Sequence, residues 1–265
     1  MRLIVFPSDH GDCLLLESAD QRMLIDGGPG SSFKRHVLPY LSETADRPLD
    51  CVYLSHIDHD HIGGLLVLLD ALFEWAVYQY RSDKGKNPKE PKMPRPPEVL
   101  KVWHNGFDDM LPGQSIAIAG ALENTAAILS ALDGKLDATT KEVVRFHRDL
   151  ATHAGHAMEL QYRIGGNQLG IALNPEANGN LLLRDGVNAP DIPFGDATFT
   201  LLGPTQADID GLRVEWQHWL DDIKNKEKLL AIEEARKKDA DALTNAAAAF
   251  IRPLELQGRD LAATL

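Results

Sequence analysis

Short apolar runs broken by turn residues set the pattern of the first third of the chain. Leu3 to Phe6 is one run, stopped at once by Pro7 and Asp9. Cys13-Leu14-Leu15-Leu16-Glu17 follows the turn His10-Gly11-Asp12, and Met23-Leu24-Ile25 is closed by Asp26-Gly27-Gly28-Pro29-Gly30. Runs of this length between glycine- and aspartate-rich turns predict β-strands. Phe33, Val37, Leu38 and Leu41 recur instead at helical spacing. They predict a helix to about Ser42, capped by Ser32, with Pro39 as a kink or an early end. Asp50 to Leu54 reads as a buried strand, and Leu65 to about Trp75 as an apolar helix opened by Gly63-Gly64.

The pattern then changes. Arg81 to Pro97 holds six Lys/Arg residues and five prolines, which predicts a long exposed loop. Val99 to Trp103 predicts a strand ending at His104-Asn105-Gly106. Helices are expected over Ile116–Leu132 and Thr140–Thr152. A β region is expected at Leu160–Arg163, Leu181–Arg184 and Thr198–Leu202. From about Gln206 to Phe250 the chain reads as helical. Leu212, Trp216, Trp219, Leu220 and Ile223 form one apolar stripe there, and the charged stretch Glu227–Ala242 forms a solvated face.

Composition bounds the functional classes. The 265 residues are 44% hydrophobic and 25% charged, as in an ordinary globular α/β protein. A net charge of −12 excludes nucleic-acid binding by bulk attraction, so such binding needs a local basic patch or metal ions. Cys13 and Cys51 make no disulfide framework and are expected as reduced core residues. The amino-terminal apolar run is too short for a secretory leader, and no stretch looks long enough to span a bilayer. A soluble, cytoplasmic protein with no membrane partner is the expectation.

Chemistry concentrates in His56-Ile57-Asp58-His59-Asp60-His61-Ile62-Gly63-Gly64. In a strand-end loop, alternation would bring His56, Asp58 and Asp60 to one side, with His61 joining as the chain enters the helix. Carboxylates crowded this closely raise one another's pKa unless a cation relieves them. Imidazole with carboxylate suits Zn²⁺, Mn²⁺ or Fe²⁺.

The motif resembles the His-x-His-x-Asp-His-x-Gly-Gly signature of the metallo-β-lactamase superfamily, with Asp58 replacing the second histidine. This form is similar to the branch containing the soluble hydrolase domain of the competence-type DNA-uptake channel protein. Gly11-Asp12-Cys13, Met23 to Gly28 and Leu201 to Thr205 resemble further segments of it. The resemblance implies an α/β fold of the αββα sandwich type with two divalent metal ions at one edge, zinc first and Mn²⁺ or Fe²⁺ as alternatives. His56 and Asp58 would hold one ion, and Asp60 and His61 the other. Asp26 would orient a ligand histidine from behind, and Asp60 would position the attacking hydroxide. His59 falls at a variable position and is read as non-ligating. His104, at a strand end, is the further ligand candidate. The implied domains are 1–205, the metallo-β-lactamase-like part, and 206–265, a helical extension.

The resemblance weakens in the second half. Gly195-Asp196 precedes a strand instead of ending one, so it is not assigned as a bridging carboxylate. His147, His153, His156 and His218 match no ligand position of the family. Three explanations stay open: a piece of a longer hydrolase whose missing C-terminal segment completes the site, one part of a split enzyme completed by a partner chain, or a degenerate member. The function expected is metal-dependent hydrolysis of a phosphodiester, with Lys84, Lys86 and Lys89 of the basic loop holding a nucleic-acid backbone. The alternatives are a regulatory or scaffolding subunit and a thioester or lactone hydrolase on the same fold.

Overall fold

The computed structural model describes residues 1–113, 115, 138–186 and 191–223. The helix expected at Ile116–Leu132 and everything beyond Ile223 lie outside the described residues. The chain divides into two compact units, Met1–Asp109 with His156–Gln206, and Met110–Gly155 with Ala207–Leu265.

The first unit is built on a six-stranded sheet in the order β1-β2-β3-β4-β5-β6. β1 (Arg2–Val5), β2 (Leu14–Ser18) and β3 (Gln21–Ile25) form an antiparallel meander, in which Leu3 pairs with Leu16 and Leu15 with Leu24. β4 (Cys51–Tyr53), β5 (Lys101–Trp103) and β6 (Ala172–Leu173) continue it in parallel. The β3–β4 crossover contains α1 (Gly30–Ser32), a π-helical turn (Phe33–Val37) and α2 (Leu38–Ser42). The β4–β5 crossover is α3 (His59–Asp83).

Both faces of the sheet are buried from β2 to β5, which explains why those strands read as continuous apolar runs, whereas edge strand β1 leaves Leu3 and Val5 exposed. Leu15, Leu24, Val52 and Val102 pack with Phe33, Leu38 and Leu41 of the first crossover and Ile62, Leu65 and Leu68 of α3. Leu16, Met23, Cys51 and Trp103 pack on the other side with Ile192 and Phe194. Those two belong to β7 (Asp191–Phe194), which pairs with β8 (Ala197–Thr200). Among the described residues this hairpin is the second sheet. The architecture is the mixed α/β type expected. Both cysteines are free and buried, and burial pushes their thiols up.

α4 (Phe107–Met110) follows β5 as a single turn. α5 (Ala138–Ile164) contributes its first part to the second unit and its last part to the first. In the second unit α6 (Gln206–Ile223) buries Leu212 and Trp216, and Arg213 Nε donates to the Met110 carbonyl at 2.7 Å. The side chains of Trp219, Leu220 and Ile223, the rest of the expected stripe, lie outside the described residues.

Several expectations need correction. Leu160–Arg163 is helical, inside α5, because Ala157, Leu160 and Ile164 supply a buried helical face. Leu181–Arg184 forms no strand. Ser32 does not cap its helix; Pro29 stands at that position, and the Ser32 hydroxyl donates to Asp9 Oδ2. The central helix begins at His59, six residues earlier than Leu65, and runs to Asp83. By length and composition α3 is long and apolar enough to cross a membrane, contrary to the sequence reading. Its residues Ile62 to Leu69 are mostly buried against the sheet, as in a core helix.

Candidate functional site

Because β3, β4 and β5 are parallel, their carboxyl ends lie side by side. Asp26 follows β3, Ser55 to Asp58 follow β4, and His104 follows β5. Sites in α/β folds collect at such ends. The early start of α3 changes how the motif is displayed. His56 and Asp58 precede the helix, Asp58 in extended backbone, whereas His59, Asp60 and His61 form its first turn. Strand-like alternation therefore does not align Asp60 with His56.

Backbone contacts lock the two segments together. Gly27 N–H donates to the His61 carbonyl at 2.7 Å, and Gly64 N–H to the Gly28 carbonyl at 2.8 Å. A Cβ on Gly64 would stand 2.0 Å from the Gly27 oxygen, and one on Gly11 would stand 1.9 Å from the Asp60 oxygen. Only glycine permits these approaches. They bring Asp26, itself at φ +55°, against the histidines.

Asp26 is buried and is the hub of the site. Its Oδ1 accepts the Ser55 backbone N–H at 2.8 Å, and its Oδ2 accepts the Ser55 hydroxyl at 2.6 Å. The same Oδ2 lies 3.0 Å from His61 Nδ1. Ser55 Oγ is also 2.9 Å from His56 Nδ1. A hydroxyl has one proton. With that proton given to Asp26, Ser55 Oγ accepts from His56 Nδ1–H, and Asp26 accepts from His61 Nδ1–H. In the neutral form of each ring this arrangement puts the proton on Nδ1 and leaves Nε2 bare. Each Nε2 faces a carboxylate: His56 to Asp58 Oδ2 at 3.6 Å, and His61 to Asp60 Oδ2 at 4.0 Å. The two ring centroids are 3.7 Å apart.

His104 is placed differently from an exposed loop residue. It is 4% exposed, and two asparagines clasp its neighbourhood. The Asn174 side chain accepts His104 N–H at 2.9 Å and donates to the His104 carbonyl at 2.7 Å. Asn105 makes the same two-point pairing with the Leu182 backbone. Each amide side chain thus acts as one more rung of a β-ladder. Burial pushes the His104 pKa down to about 4, against a backbone hydrogen bond at Leu54 and the charge of Asp26. Its Nε2 is buried without a hydrogen-bond partner.

The other sequence candidates are dispersed. Lys84, Lys86 and Lys89 are exposed at the carboxyl-terminal end of α3, opposite the motif. Gly195 and Asp196 form the β7–β8 turn, held by Gln21 and the Ser18 hydroxyl. His156, which matched no ligand position of the family, lies inside α5 with its ring centroid 5.1 Å from that of His59. Sequence reasoning missed that contact, the Ser55 bridge and the asparagine clasp. The only advance signal was the position of Ser55 directly before His56.

The strand ends of this mixed α/β fold thus carry a histidine–carboxylate cluster backed by a buried aspartate, with the donor types that a divalent metal takes. The family model of the metallo-beta-lactamase superfamily matches residues 7–172, and the chain belongs to that superfamily. No curated protein and no solved structure matches it. Members are mostly hydrolases and typically bind divalent metals, often zinc. The donor types here fit such an ion, and the 3.6 Å between His56 Nε2 and Asp58 Oδ2 suits one shared tetrahedral ion, whereas the 4.0 Å between His61 Nε2 and Asp60 Oδ2 is wider than that geometry allows. Among the described residues, however, no three His, Cys, Asp or Glu side chains are gathered to hold a metal.

Proposed function

We propose that the chain is a metal-dependent phosphodiesterase, in the branch similar to the DNA-uptake hydrolase domain. The observation that carries this reading is the Ser55–Asp26 bridge, which leaves two bare Nε2 atoms beside two carboxylates. His56 and Asp58 would hold one divalent ion, and Asp60 and His61 the other, with His104 as a further donor. Zinc is the first expectation, with manganese or iron(II) as alternatives. Such ions, when bound, supply a nucleophile at neutral pH and polarise the phosphoryl oxygens. Asp60 orients the attacking water. Ser55 and Asp26 keep the two rings in one tautomer. The oxygen-rich donor set, with Asp58 in place of a histidine, favours phosphate chemistry.

The test is metal content by elemental analysis together with hydrolysis of bis(p-nitrophenyl) phosphate, in wild type and Asp60→Ala. About two equivalents and turnover, both lost in the variant, support the reading. Stoichiometric metal without turnover removes the phosphodiester assignment. The lack of a gathered triad favours a second reading, a regulatory subunit whose site a partner chain or further segment completes. A purified chain that binds no metal supports that one.

A further inference from the structure

The far end of α3 combines three features. First, its charge is local and of opposite sign to the chain. Arg81, Lys84, Lys86, Lys89, Lys92 and Arg95 are six cations, most of them exposed, against Asp83 and Glu90 within the same stretch, on a molecule of net charge −12. Second, an aromatic ring lies open among these cations. Tyr80 is 65% exposed, and Lys84 Nζ sits 5.7 Å from its centroid. Third, the segment is held in place. Trp75 Nε1 donates to the Met93 carbonyl at 2.9 Å, and the Arg95 guanidinium lies 5.8 Å from the Trp75 centroid. Pro96 and Pro97 are buried, and Met93 packs against the core. A merely solvated connection has no use for such anchoring.

Exposed cations beside a flat ring, on a preorganised support, match a polyanion that carries stackable bases. We propose that this end of α3 binds single-stranded nucleic acid, its phosphates on Lys84, Lys86 and Lys89 and one base on Tyr80. Tyr80 is the one large apolar side chain exposed in the segment, which disfavours an anionic membrane, since a lipid surface needs several. Lys84 lies 24 positions beyond Asp60, roughly 35 Å along the helix at its usual rise. If the catalytic reading above holds, on which this one point rests, a bound strand reaches the motif only when it is long enough to span that distance.

The experiment is fluorescence anisotropy of end-labelled dT20 with the full chain in EDTA, from 50 to 200 mM salt. Chelation separates binding from hydrolysis, so failure of the phosphodiesterase reading leaves this result standing. The triple variant Lys84→Ala, Lys86→Ala, Lys89→Ala is expected to lower affinity at least tenfold. It is also expected to flatten the log–log salt slope by roughly two, at about 0.7 for each phosphate no longer neutralised. Tyr80→Ala is expected to weaken binding roughly five- to a hundredfold at unchanged slope. Circular dichroism checks that both variants fold. No binding of dT20 by wild type overturns the proposal. So does equal binding by the triple variant, or preferential binding to vesicles of anionic phospholipid.

Discussion

Asp26 Oδ2 lies 3.0 Å from His61 Nδ1 across 35 positions of the chain, and the same oxygen accepts the Ser55 hydroxyl that contacts His56. One buried carboxylate therefore governs both rings. Ser55→Ala deletes the acceptor for His56 Nδ1–H and releases that ring's tautomer. Metal affinity is expected to fall about 10–100-fold, measured by chelator competition. Nitrogen-15 NMR of the metal-free chain should show His56 with mixed tautomers while His61 keeps its own. Unchanged His56 shifts would mean that the Ser55 bridge does not set the tautomer.

The glycine contacts make a stability prediction with a built-in control. Gly64→Ala places a methyl 2.0 Å from the Gly27 oxygen, where backbone must move. A loss of about 3 kcal/mol is expected in urea unfolding. Gly155→Ala, inside α5 with nothing within 4 Å, should instead stabilise by about 0.5–1 kcal/mol. A tolerated Gly64→Ala would mean that the α3 terminus is not seated on the β3 turn.

The asparagine clasp predicts a graded pair. Asn174→Ala leaves His104 N–H and two carbonyls without their amide partner, and it forces alanine to φ +43°. About 3 kcal/mol or more should be lost. Asn174→Gly loses the same hydrogen bonds without the backbone strain, so it should be about 1 kcal/mol less damaging. Equal stabilities would show that the left-handed backbone carries no cost.

His104 gives a pH dependence of definite sign. Its folded pKa is about 4, below the unfolded value near 6.5, because burial disfavours the cation. Above pH 6.5 neither state binds this proton, and stability is unaffected. Between about 6.5 and 4 the unfolded chain takes up the proton and the folded chain does not, so stability falls, by roughly 3 kcal/mol in all. Below 4 the effect levels off. Urea midpoints of the metal-free chain from pH 7 to 3.5 should show this drop in wild type and lack it in His104→Gln. Parallel curves would refute the assignment.

Local patterns proved readable and distant pairings did not. The strands from β1 to β5 match their apolar runs to within a residue or two, because each is a short run between turn residues. The cluster of His56 to His61 was visible because it is contiguous. The start of α3 was misplaced because Gly63-Gly64 resembles a helix entry. In fact those glycines lie in the second turn of the helix and serve a packing contact. Leu160–Arg163 suggested a strand because four residues are too few to separate the two periods. Asn174 reaches His104 across 70 positions and His156 reaches His59 across nearly a hundred, and nothing local announces either.

The close seating of Gly64 on Gly27 separates the motif's two halves by the force that would preserve them. Under the proposed function, His56, Asp58, Asp60 and His61 would answer to chemistry, whereas Gly63 and Gly64 answer to steric fit with the β3 turn. A descendant of this chain that abandoned metal would be free to shed the histidines and would still carry the glycines. Glycines at these positions therefore trace ancestry of the scaffold, and the side chains before them report whether it still works for a living.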